Sequence, residues 1–302
     1  MPLPSRSADG QLPLAPDDSE DLSVTARLAR IEEMLASLER VGKETLRLAR
    51  VADGRVTVVP LEGLLFAVPI REWRLAAFLE HRGHPEPGLR DRLLARLHPG
   101  GSFVDVGANI GLYTVAAGYA VGHGGRVIAV EPTPGTAEVL AHNVRLNGLL
   151  ETGVVTILQV AAGEAAGRAQ LATHSEDSGH NSLYLTGDED EVVQVEVAPL
   201  DDLVPVGTPV DVVKIDVEGA ELAVLRGMRR VAEENPAMVV FAELAGEHLV
   251  RAGTSVEGLL AAASELGWST DVFETVSGAS AGTDVEVPLS VFLYRTEAGP
   301  TT

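Results

Sequence analysis

The sequence predicts an α/β fold in which a mostly parallel, doubly wound sheet carries helices on both faces. Two observations lead to this prediction. Strand-like and helix-like segments alternate from residue 103 to residue 266, and the first of these strands ends in a glycine-containing turn. In such a fold a ligand binds at the carboxyl ends of the strands, so the residues that follow each strand are the candidates for function.

The composition restricts the kinds of protein that the 302 residues can form. Hydrophobic residues make up 45% of the chain, enough for one catalytic domain with appendages. The formal net charge of −21 predicts a surface that repels nucleic acid. The chain has no cysteine, which excludes disulfides and thiolate sites and fits a reducing compartment. No segment has the roughly 18 consecutive apolar residues of a membrane helix. We therefore expect a cytoplasmic protein without a membrane partner.

The first 84 residues predict appendages to the main domain. Residues 1–19 are rich in Pro, Ser, Gly and Asp, which is typical of a disordered tail. Residues 20–50 predict an amphipathic helix, because apolar residues recur at spacings of four and three. The apolar face of this helix either pairs with a second copy as a coiled coil, which would give a homodimer, or packs against the rest of the same chain. Residues 51–84 predict a β-hairpin and a helix over 72–81.

The main domain is predicted over residues 85–297, with a short tail over 298–302. Its elements follow from the alternation of β-branched runs with helix-period segments. Two further pairs of segments predict antiparallel strands, namely 169–172 with 192–197 around a polar loop, and 269–274 with 288–294 as a closing hairpin. The other predicted strands are 126–130, 154–160, 210–215 and 237–243, and the helices are 89–97, 112–120, 136–147, 219–231 and 256–266.

The segment from Phe103 to Gly111 predicts a strand, a turn and the start of a helix. Glycines let the backbone approach a ligand closely, and a helix N-terminus offers unpaired N–H groups. The spacing Gly107-x-x-x-Gly111 differs from the GxGxxG of dinucleotide-binding proteins, which argues against a nicotinamide cofactor. Glu131 ends the next predicted strand and is placed to accept hydrogen bonds from both hydroxyls of a ribose.

Five segments of the chain form a recognisable series. They are, in order, VDVGANIGLYT, VIAVEPTP, ILQVAAGE, APLDDLVPVGTPVDVVKIDVEGAELAVLRG and MVVFAEL. These motifs resemble the FkbM family of S-adenosylmethionine-dependent methyltransferases. The resemblance covers about residues 85–244 and implies a class I methyltransferase fold, which is Rossmann-like with an antiparallel last strand. It also implies S-adenosylmethionine as cofactor and S-adenosylhomocysteine as its product.

The resemblance also implies which residues hold the cofactor. Glu131 would hold the ribose, and Asp216 is a further candidate for cofactor contact. The glycine turn would line the methionine part, and residues 159–162 would border the adenine. The other implied residues are Asp105 near the amino group, Gly107, Ala108, Asn109 and Gly111 in the turn, Pro132 beside Glu131, and Ala161 near the adenine.

A hydroxyl acceptor loses a proton during methyl transfer and therefore benefits from a general base. Candidate bases at the strand ends are Asp216, Glu218 and Glu243, and His180 in the polar loop has an ordinary pKa suited to the task. Glu218 could instead cap the next helix, Glu243 could pair with an arginine, and His180 could be solvated. A group of carboxylates could also bind Mg²⁺, but three acids do not define a metal site, so the metal ligands stay unassigned.

The predicted function is O-methylation of a hydroxyl group on a sugar or natural-product small molecule. Methylation of a carboxylate or nitrogen on a small molecule or peptide is an alternative. Two further alternatives are a nicotinamide-dependent oxidoreductase and a non-catalytic module that dimerises through residues 21–50. Residues 169–213 contain acids but no Lys or Arg, which favours neutral or cationic acceptors over phosphorylated ones.

Overall fold

The computed structural model describes residues 56–185, 187, 189–274 and 289–295. The predicted tail over 1–19, the helix over 20–50 with its dimer, and the tail over 298–302 lie outside these residues. The described chain alternates strands and helices, as the sequence predicts. The strands are β1 (Val56–Leu61), β2 (Leu64–Pro69), β3 (Ser102–Val106), β4 (Arg126–Val130), β5 (Val155–Leu158), β6 (Ala161–Ala162), β7 (Gly167–Thr173), β8 (Glu191–Ala198), β9 (Val212–Ile215), β10 (Val239–Leu244), β11 (Trp268–Glu274) and β12 (Leu289–Arg295).

The helices are α1 (Trp73–Arg82), α2 (Pro87–Leu94), α3 (Leu112–Val121), α4 (Pro134–Leu146), α5 (Leu200–Leu203), α6 (Glu221–Arg226), α7 (Arg229–Glu234), α8 (Gly246–Arg251) and α9 (Val256–Glu265).

A seven-stranded sheet in the order β11-β12-β10-β9-β3-β4-β5 forms the body of the domain. Strand β12 runs antiparallel to both of its neighbours, while β10, β9, β3, β4 and β5 pair in parallel. The predicted α/β fold with an antiparallel last strand is therefore confirmed. The strand order reverses at β3, whose neighbours are β4 on one side and β9 on the other. A crevice forms at such a reversal, outside the carboxyl ends of the strands.

The central strands bury both faces, and alternate residues enter different cores. Phe103, Val212 and Phe241 belong to the core on one face, together with residues of α2, α3 and α4. Val104 and Val213 belong to the core on the other face, which α6, α7 and α9 cover. Since side chains two residues apart share a face, the first core continues toward the carboxyl ends of β3, β9 and β10 through Asp105, Lys214 and Glu243.

The N-terminal hairpin is attached to α4 by two asparagine side chains. Asn143 accepts from the N–H of Ala67 at 2.8 Å and donates to its carbonyl at 3.1 Å. Asn147 makes the same pair of bonds with Leu65, at 3.0 and 2.8 Å. Asn143 and Asn147 are four residues apart on a helix, which corresponds to a rise of about 6.0 Å, and Ala67 and Leu65 are two residues apart on a strand, which corresponds to about 6.6 Å. The spacing of the two side-chain amides therefore matches the spacing of their backbone partners on the outer edge of β2. Asn143 also donates to the carbonyl of Ile110, in the glycine turn, at 2.9 Å.

Two predicted elements differ from the structure. The predicted helix over 219–231 is two helices, α6 and α7, separated at Gly227. A Cβ at Gly227 would lie 2.0 Å from the carbonyl oxygen of Gly163. The helix is therefore interrupted at the point where the backbone of Gly227 packs against the backbone of Gly163. The predicted strand over 154–160 ends at Leu158. Ala161 then enters a separate three-stranded sheet in the order β6-β8-β7, which contains the predicted antiparallel pair.

Candidate functional site

The turn after β3 brings the backbone of two strands into contact. Gly107 has φ 76°, and a Cβ there would lie 1.8 Å from the carbonyl oxygen of Asp216, which follows β9. Asn109 has φ 48°, a region that asparagine tolerates better than most residues. Gly111 has φ 92°, and a Cβ there would lie 2.5 Å from Leu140 on α4. These contacts fix the position of the turn, which lies between the sheet and α4 and leads into α3.

The carboxylate of Glu131 is held by two backbone amides at the end of β4. The N–H of Asn109 donates to Oε2 at 3.0 Å, and the N–H of Thr133 donates to Oε1 at 2.9 Å. Glu131 is 6% exposed, and its burial raises the pKa of the carboxyl group despite these hydrogen bonds. Each carboxylate oxygen has a second acceptor position, so the side chain can still receive two hydroxyl groups.

A cleft of about 620 Å³, including its open mouth, lies between this turn and the ends of β4 and β9. Among the predicted cofactor residues, Gly107, Asn109, Glu131, Pro132, Ala161 and Asp216 line it, and the predicted base Glu218 does too. Ala162, Leu171, Leu183, Val217 and Ala220 add an apolar lining. Gln159, predicted near the adenine, lines a neighbouring cavity instead.

Three predicted cofactor residues lie outside the lining of this cleft. Ala108 and Gly111 shape the turn, and Asp105 is fully buried behind it. Asp105 Oδ2 accepts from the Thr114 hydroxyl at 2.6 Å, while Oδ1 lies 3.8 Å from Lys214 Nζ and has no hydrogen-bond partner. Burial raises the pKa of Asp105, against the opposing effect of Lys214.

One wall of the cleft comes from residues 174–185, the described first part of the polar loop between β7 and β8, which we call the lid segment. Ser178 Oγ lies 2.9 Å from both Asn109 Oδ1 and Glu72 Oε2. Glu72 precedes α1 and is buried, which raises the pKa of its carboxyl group. The Asn181 amide donates to Thr133 Oγ1 at 3.2 Å. The lid segment is thus tied both to the glycine turn and to the N-terminal appendage.

A second group of polar side chains adjoins the cleft, and we call it the strand-end cluster. It consists of Glu86, Asp105, Tyr113, Lys214, Asp216 and Glu243. Lys214 is 2% exposed and its Nζ lies 3.0 Å from Asp216 Oδ2. The Tyr113 hydroxyl donates to Glu86 Oε2 at 3.0 Å, and Lys214 Nζ lies 5.0 Å from the centre of the Tyr113 ring. Asp216 belongs to both the cluster and the cleft.

Glu243 is a carboxyl group of the cluster with a strongly raised pKa. Burial, Asp216 and Glu86 together raise the pKa of Glu243 to about 9, against the opposing effect of Lys214. Burial and Asp216 likewise raise the pKa of Glu86. Near neutral pH Glu243 therefore carries a proton. The charged groups acting on Glu243 are three acids and Lys214, so the predicted alternative of an arginine partner does not describe its surroundings.

The comparisons with known proteins agree with this geometry. A family model described as the methyltransferase FkbM domain matches residues 105–275, more than half of the chain. The chain belongs to the FkbM methyltransferase domain family. The match begins at the buried acid of β3 and extends through the strand-end residues of β4, β9 and β10. The predicted family resemblance is thereby confirmed.

Among individual proteins, this FkbM domain is similar to the methyltransferase sdnD of Sordaria araneosa, with 32% identity over 45% of this chain. The match spans 63% of the length of that relative. A solved methyltransferase FkbM from Methylobacillus flagellatus KT is 18% identical, with a TM-score of 0.43 over 67% of this chain and 50% of that one. A SAM-dependent methyltransferase from Aquifex aeolicus is 15% identical, with a TM-score of 0.43, and the match covers 75% of this chain and 97% of that one.

Of the predicted bases of the FkbM domain, Glu218 lines the cleft, while His180 lines a separate cavity formed partly by the lid segment. His180 Nδ1 lies 3.0 Å from Asp177 Oδ2, and this hydrogen bond raises the pKa of the imidazole. Its ring centre is 6.2 Å from that of His248, which contacts the Glu218 carboxylate. Glu218 has φ 53°, and no side chain caps the N-terminus of α6, so the alternative role of Glu218 as a helix cap is not seen. Glu221 Oε1 accepts from the N–H groups of Gly219 at 3.1 Å and Val217 at 3.3 Å.

Neither a metal group nor a membrane helix is found in the described part of this FkbM domain. Within that part, no set of three or more His, Asp or Glu side chains is arranged to hold a metal ion. No helix there is both long and apolar enough to cross a membrane.

The raised pKa of Glu243 predicts a pH-dependent effect of Glu243→Gln on stability. The carboxyl group has a pKa of about 9 in the folded chain and about 4.5 when unperturbed, so the folded state binds more protons between these values. Folding stability therefore falls as the pH rises from about 4.5 to about 9. Since Gln cannot ionise, we expect the variant to melt roughly 3–6 °C higher than the wild type at pH 8.5, and within about 1 °C of it at pH 4.5.

Thermal unfolding by circular dichroism at the two pH values measures this difference. Glu138→Gln, on the exposed side of α4, is the matched control and should shift the melting temperature equally at both values. A Glu243→Gln shift that is the same at pH 4.5 and pH 8.5 would contradict the prediction.

Proposed function

We propose that the chain transfers a methyl group from S-adenosylmethionine to a hydroxyl group of a small molecule, such as a sugar or natural-product scaffold. The observation that carries the proposal is the position of Glu131, whose carboxylate two backbone amides hold at the wall of the cleft. An acid fixed at this point after the second strand can receive both hydroxyl groups of a ribose.

The shape and the donor set of the cleft fit S-adenosylmethionine. Gly107 leaves no room for a side chain between the turn and Asp216, so a ligand can approach the backbone of the turn directly. The apolar lining by Ala161, Leu171 and Leu183 suits a flat base.

The strand-end cluster supports a hydroxyl acceptor. When bound, S-adenosylmethionine supplies an activated methyl group on a positively charged sulfur. The chain then has to position the acceptor, exclude water and accept a proton. Asp216 lines the cleft and belongs to the cluster, so it is a candidate proton acceptor for a hydroxyl group bound there. The raised pKa values of Glu86 and Glu243 indicate that another negative charge is unfavourable there, which favours a neutral hydroxyl over a carboxylate acceptor.

Isothermal titration calorimetry of the full chain with four compounds tests the cofactor assignment. We expect S-adenosylmethionine and S-adenosylhomocysteine to bind with micromolar Kd, and NAD⁺ and NADH to give no heat of binding. A chain that binds neither sulfur compound would refute the proposal, and one that binds NADH would favour the oxidoreductase.

Transfer of isotopically labelled methyl groups tests the acceptor class. The assay compares a panel of neutral glycosides with the corresponding uronic acids. We expect the label on the neutral compounds and in a form that is stable to alkali, as methyl ethers are. Label that alkali releases would indicate methyl esters and therefore a carboxylate acceptor.

A further inference from the structure

The lid segment meets the N-terminal appendage at a buried carboxyl group. Glu72 lies between β2 and α1 and is 4% exposed. Ser178 Oγ, in the lid segment, lies 2.9 Å from Glu72 Oε2 and 2.9 Å from Asn109 Oδ1. Ser178 and Asn109 both line the cleft. Glu72 therefore acts on the cleft through Ser178.

The two contacts of Ser178 require more than one proton. A serine hydroxyl has one hydrogen to donate, whereas an amide oxygen and an ionised carboxylate only accept. If Glu72 were ionised, Ser178 could serve only one of its two neighbours, and the other acceptor would lose its partner. Asn109 directs its amide nitrogen toward Gly179, 3.9 Å from the position of an added Cβ, and its oxygen toward Ser178. Both contacts are hydrogen bonds when the Glu72 O–H donates to Ser178 and the Ser178 O–H donates to Asn109.

The surroundings of Glu72 agree with this count of donors. Burial is the largest influence and raises the pKa of the carboxyl group, and Asp177 in the lid segment adds to it. Hydrogen bonds from Ser178 and the positive charge of Arg71 act in the opposite direction, and the net effect is a raised pKa. The environment thus favours the protonated form that the geometry requires.

Asn109 connects this contact with the acid proposed to hold the ribose. The N–H of Asn109 donates to Glu131 Oε2 at 3.0 Å, and the residue has φ 48°. A positive φ at a residue other than glycine costs free energy and persists where the neighbours hold it. Ser178 holds the side chain of Asn109, and Glu131 holds its backbone. A series of hydrogen bonds therefore leads from Glu72 through Ser178 and Asn109 to Glu131.

A second contact joins the same two segments at the surface. Arg74 Nη1 lies 3.2 Å from Glu176 Oε2, with 66% and 64% of the two side chains exposed. An ion pair with this exposure contributes little, because water and salt screen it. The attachment of the lid segment to the appendage therefore depends on the buried contact of Ser178 with Glu72.

We propose that Glu72 is a positioning residue of the cofactor cleft, and that its protonated carboxyl group holds the lid segment closed against the glycine turn through Ser178. This inference rests on the proposed function, since the ligand that the lid segment encloses is the cofactor. It gives a role in cofactor retention to a residue that precedes the region matched by the family model. The closed arrangement contains one proton more than the open one, so closing weakens as the pH rises through the pKa of Glu72.

Calorimetry with S-adenosylhomocysteine at pH 5.5 and pH 8.5 tests the position of the proton. Glu72→Gln replaces the O–H with an amide N–H that still donates to Ser178 but does not ionise. We expect the variant to bind within about twofold of the wild type at pH 5.5 and about fivefold more tightly than the wild type at pH 8.5, the effect of roughly one hydrogen bond. Both proteins bind the same compound, so the ionisation of the ligand cancels from the ratio.

Two further variants remove the contact from either side. Glu72→Ala and Ser178→Ala should each lower the affinity at pH 5.5 by roughly 5- to 10-fold. Both should also speed the hydrogen exchange of the lid segment amides in the free protein, measured by mass spectrometry, while Glu72→Gln should exchange as the wild type does. Ser178→Ala leaves the appendage unaltered, so it tests the contact even if Glu72→Ala folds poorly. Glu80→Gln, on the exposed side of α1, is the matched control and should change neither quantity.

The outcomes separate this inference from the proposed function. Wild-type affinity and exchange in both alanine variants would overturn the role of Glu72. An affinity of Glu72→Gln that is as low as that of Glu72→Ala at pH 5.5 would show that the ionised carboxylate is the active form, which overturns the position of the proton. If the wild type binds neither S-adenosylmethionine nor S-adenosylhomocysteine, the proposed function fails, and the exchange of the free protein still decides whether Glu72 holds the lid segment.

Discussion

Glu131→Ala is expected to abolish measurable binding of S-adenosylmethionine. In the proposed complex Glu131 would accept two charge-assisted hydrogen bonds from the ribose, and the substitution would remove both, at about 1.5–3 kcal/mol each. It also releases the amides of Asn109 and Thr133, which the carboxylate holds at 3.0 and 2.9 Å. The combined loss of at least about 3 kcal/mol corresponds to a Kd at least about 100-fold higher, which calorimetry would register as an absence of heat at micromolar protein.

Glu131→Gln separates the two roles of this side chain. The amide retains one oxygen for a backbone N–H, so the turn is less disturbed, and the affinity should fall by roughly 10- to 100-fold. Glu138→Ala, on the exposed side of α4, is the control for the loss of an acid and should bind as the wild type does. If Glu131→Ala kept a Kd within threefold of the wild type, the ribose would have to be bound elsewhere.

Gly107→Ala is expected to lower the free energy of unfolding by more than about 3 kcal/mol, with loss of cofactor binding. The new Cβ would lie 1.8 Å from the carbonyl oxygen of Asp216, at a φ of 76° that L-residues disfavour. Backbone lies on both sides of the contact, so no side chain can rotate to relieve it. The ends of β3 and β9 would have to separate, and with them the glycine turn and Asp216. Thermal unfolding should show a melting temperature lower by about 10 °C.

Gly153→Ala is the matched control for backbone conformation. Gly153 has φ 70° and nothing within 4 Å of the position of an added Cβ, so the substitution incurs the conformational cost without a clash. We expect it to cost roughly 1 kcal/mol, or about 2–4 °C, and to leave cofactor binding unchanged. Equal losses in the two variants would mean that the contact between Gly107 and Asp216 does not constrain the protein.

The sequence predicted the positions of the glycine turn and of Glu131 because their signals are local. The strand, turn and helix around Gly107 follow one another directly in the chain, and Glu131 ends the next strand. The order of strands in a doubly wound sheet then places both at the same crevice. The roles of these residues in binding remain predictions, but their location at one cleft follows from the fold.

The strand-end cluster was predicted only in part, because it is assembled from distant segments. Asp216 and Glu243 were identified at strand ends, whereas Glu86, Tyr113 and Lys214 were missed. Glu86 lies in a connection between two helices, where no periodic pattern singles it out. A signal did exist for Lys214, since a lysine among the apolar residues of β9 must be buried on the same face as Asp105 in the neighbouring strand.

The lid segment shows a similar limit. Its position over the cleft follows from the antiparallel pair β7 and β8, but Glu72, which reaches Ser178 from the N-terminal appendage, is 106 residues away. Hydrophobic periodicity fixes which face of an element is buried, and it contains no information about such single polar contacts.

The asparagines of α4 bear on where a fragment of this chain can be cut. Asn143 is fully buried, and its amide links Ala67 of the hairpin with Ile110 of the glycine turn. Although the family match starts at residue 105, a fragment cut there would leave this amide facing a missing partner and would uncover the apolar face beneath β2. The hairpin of β1 and β2 therefore belongs to the same folded unit as the sheet.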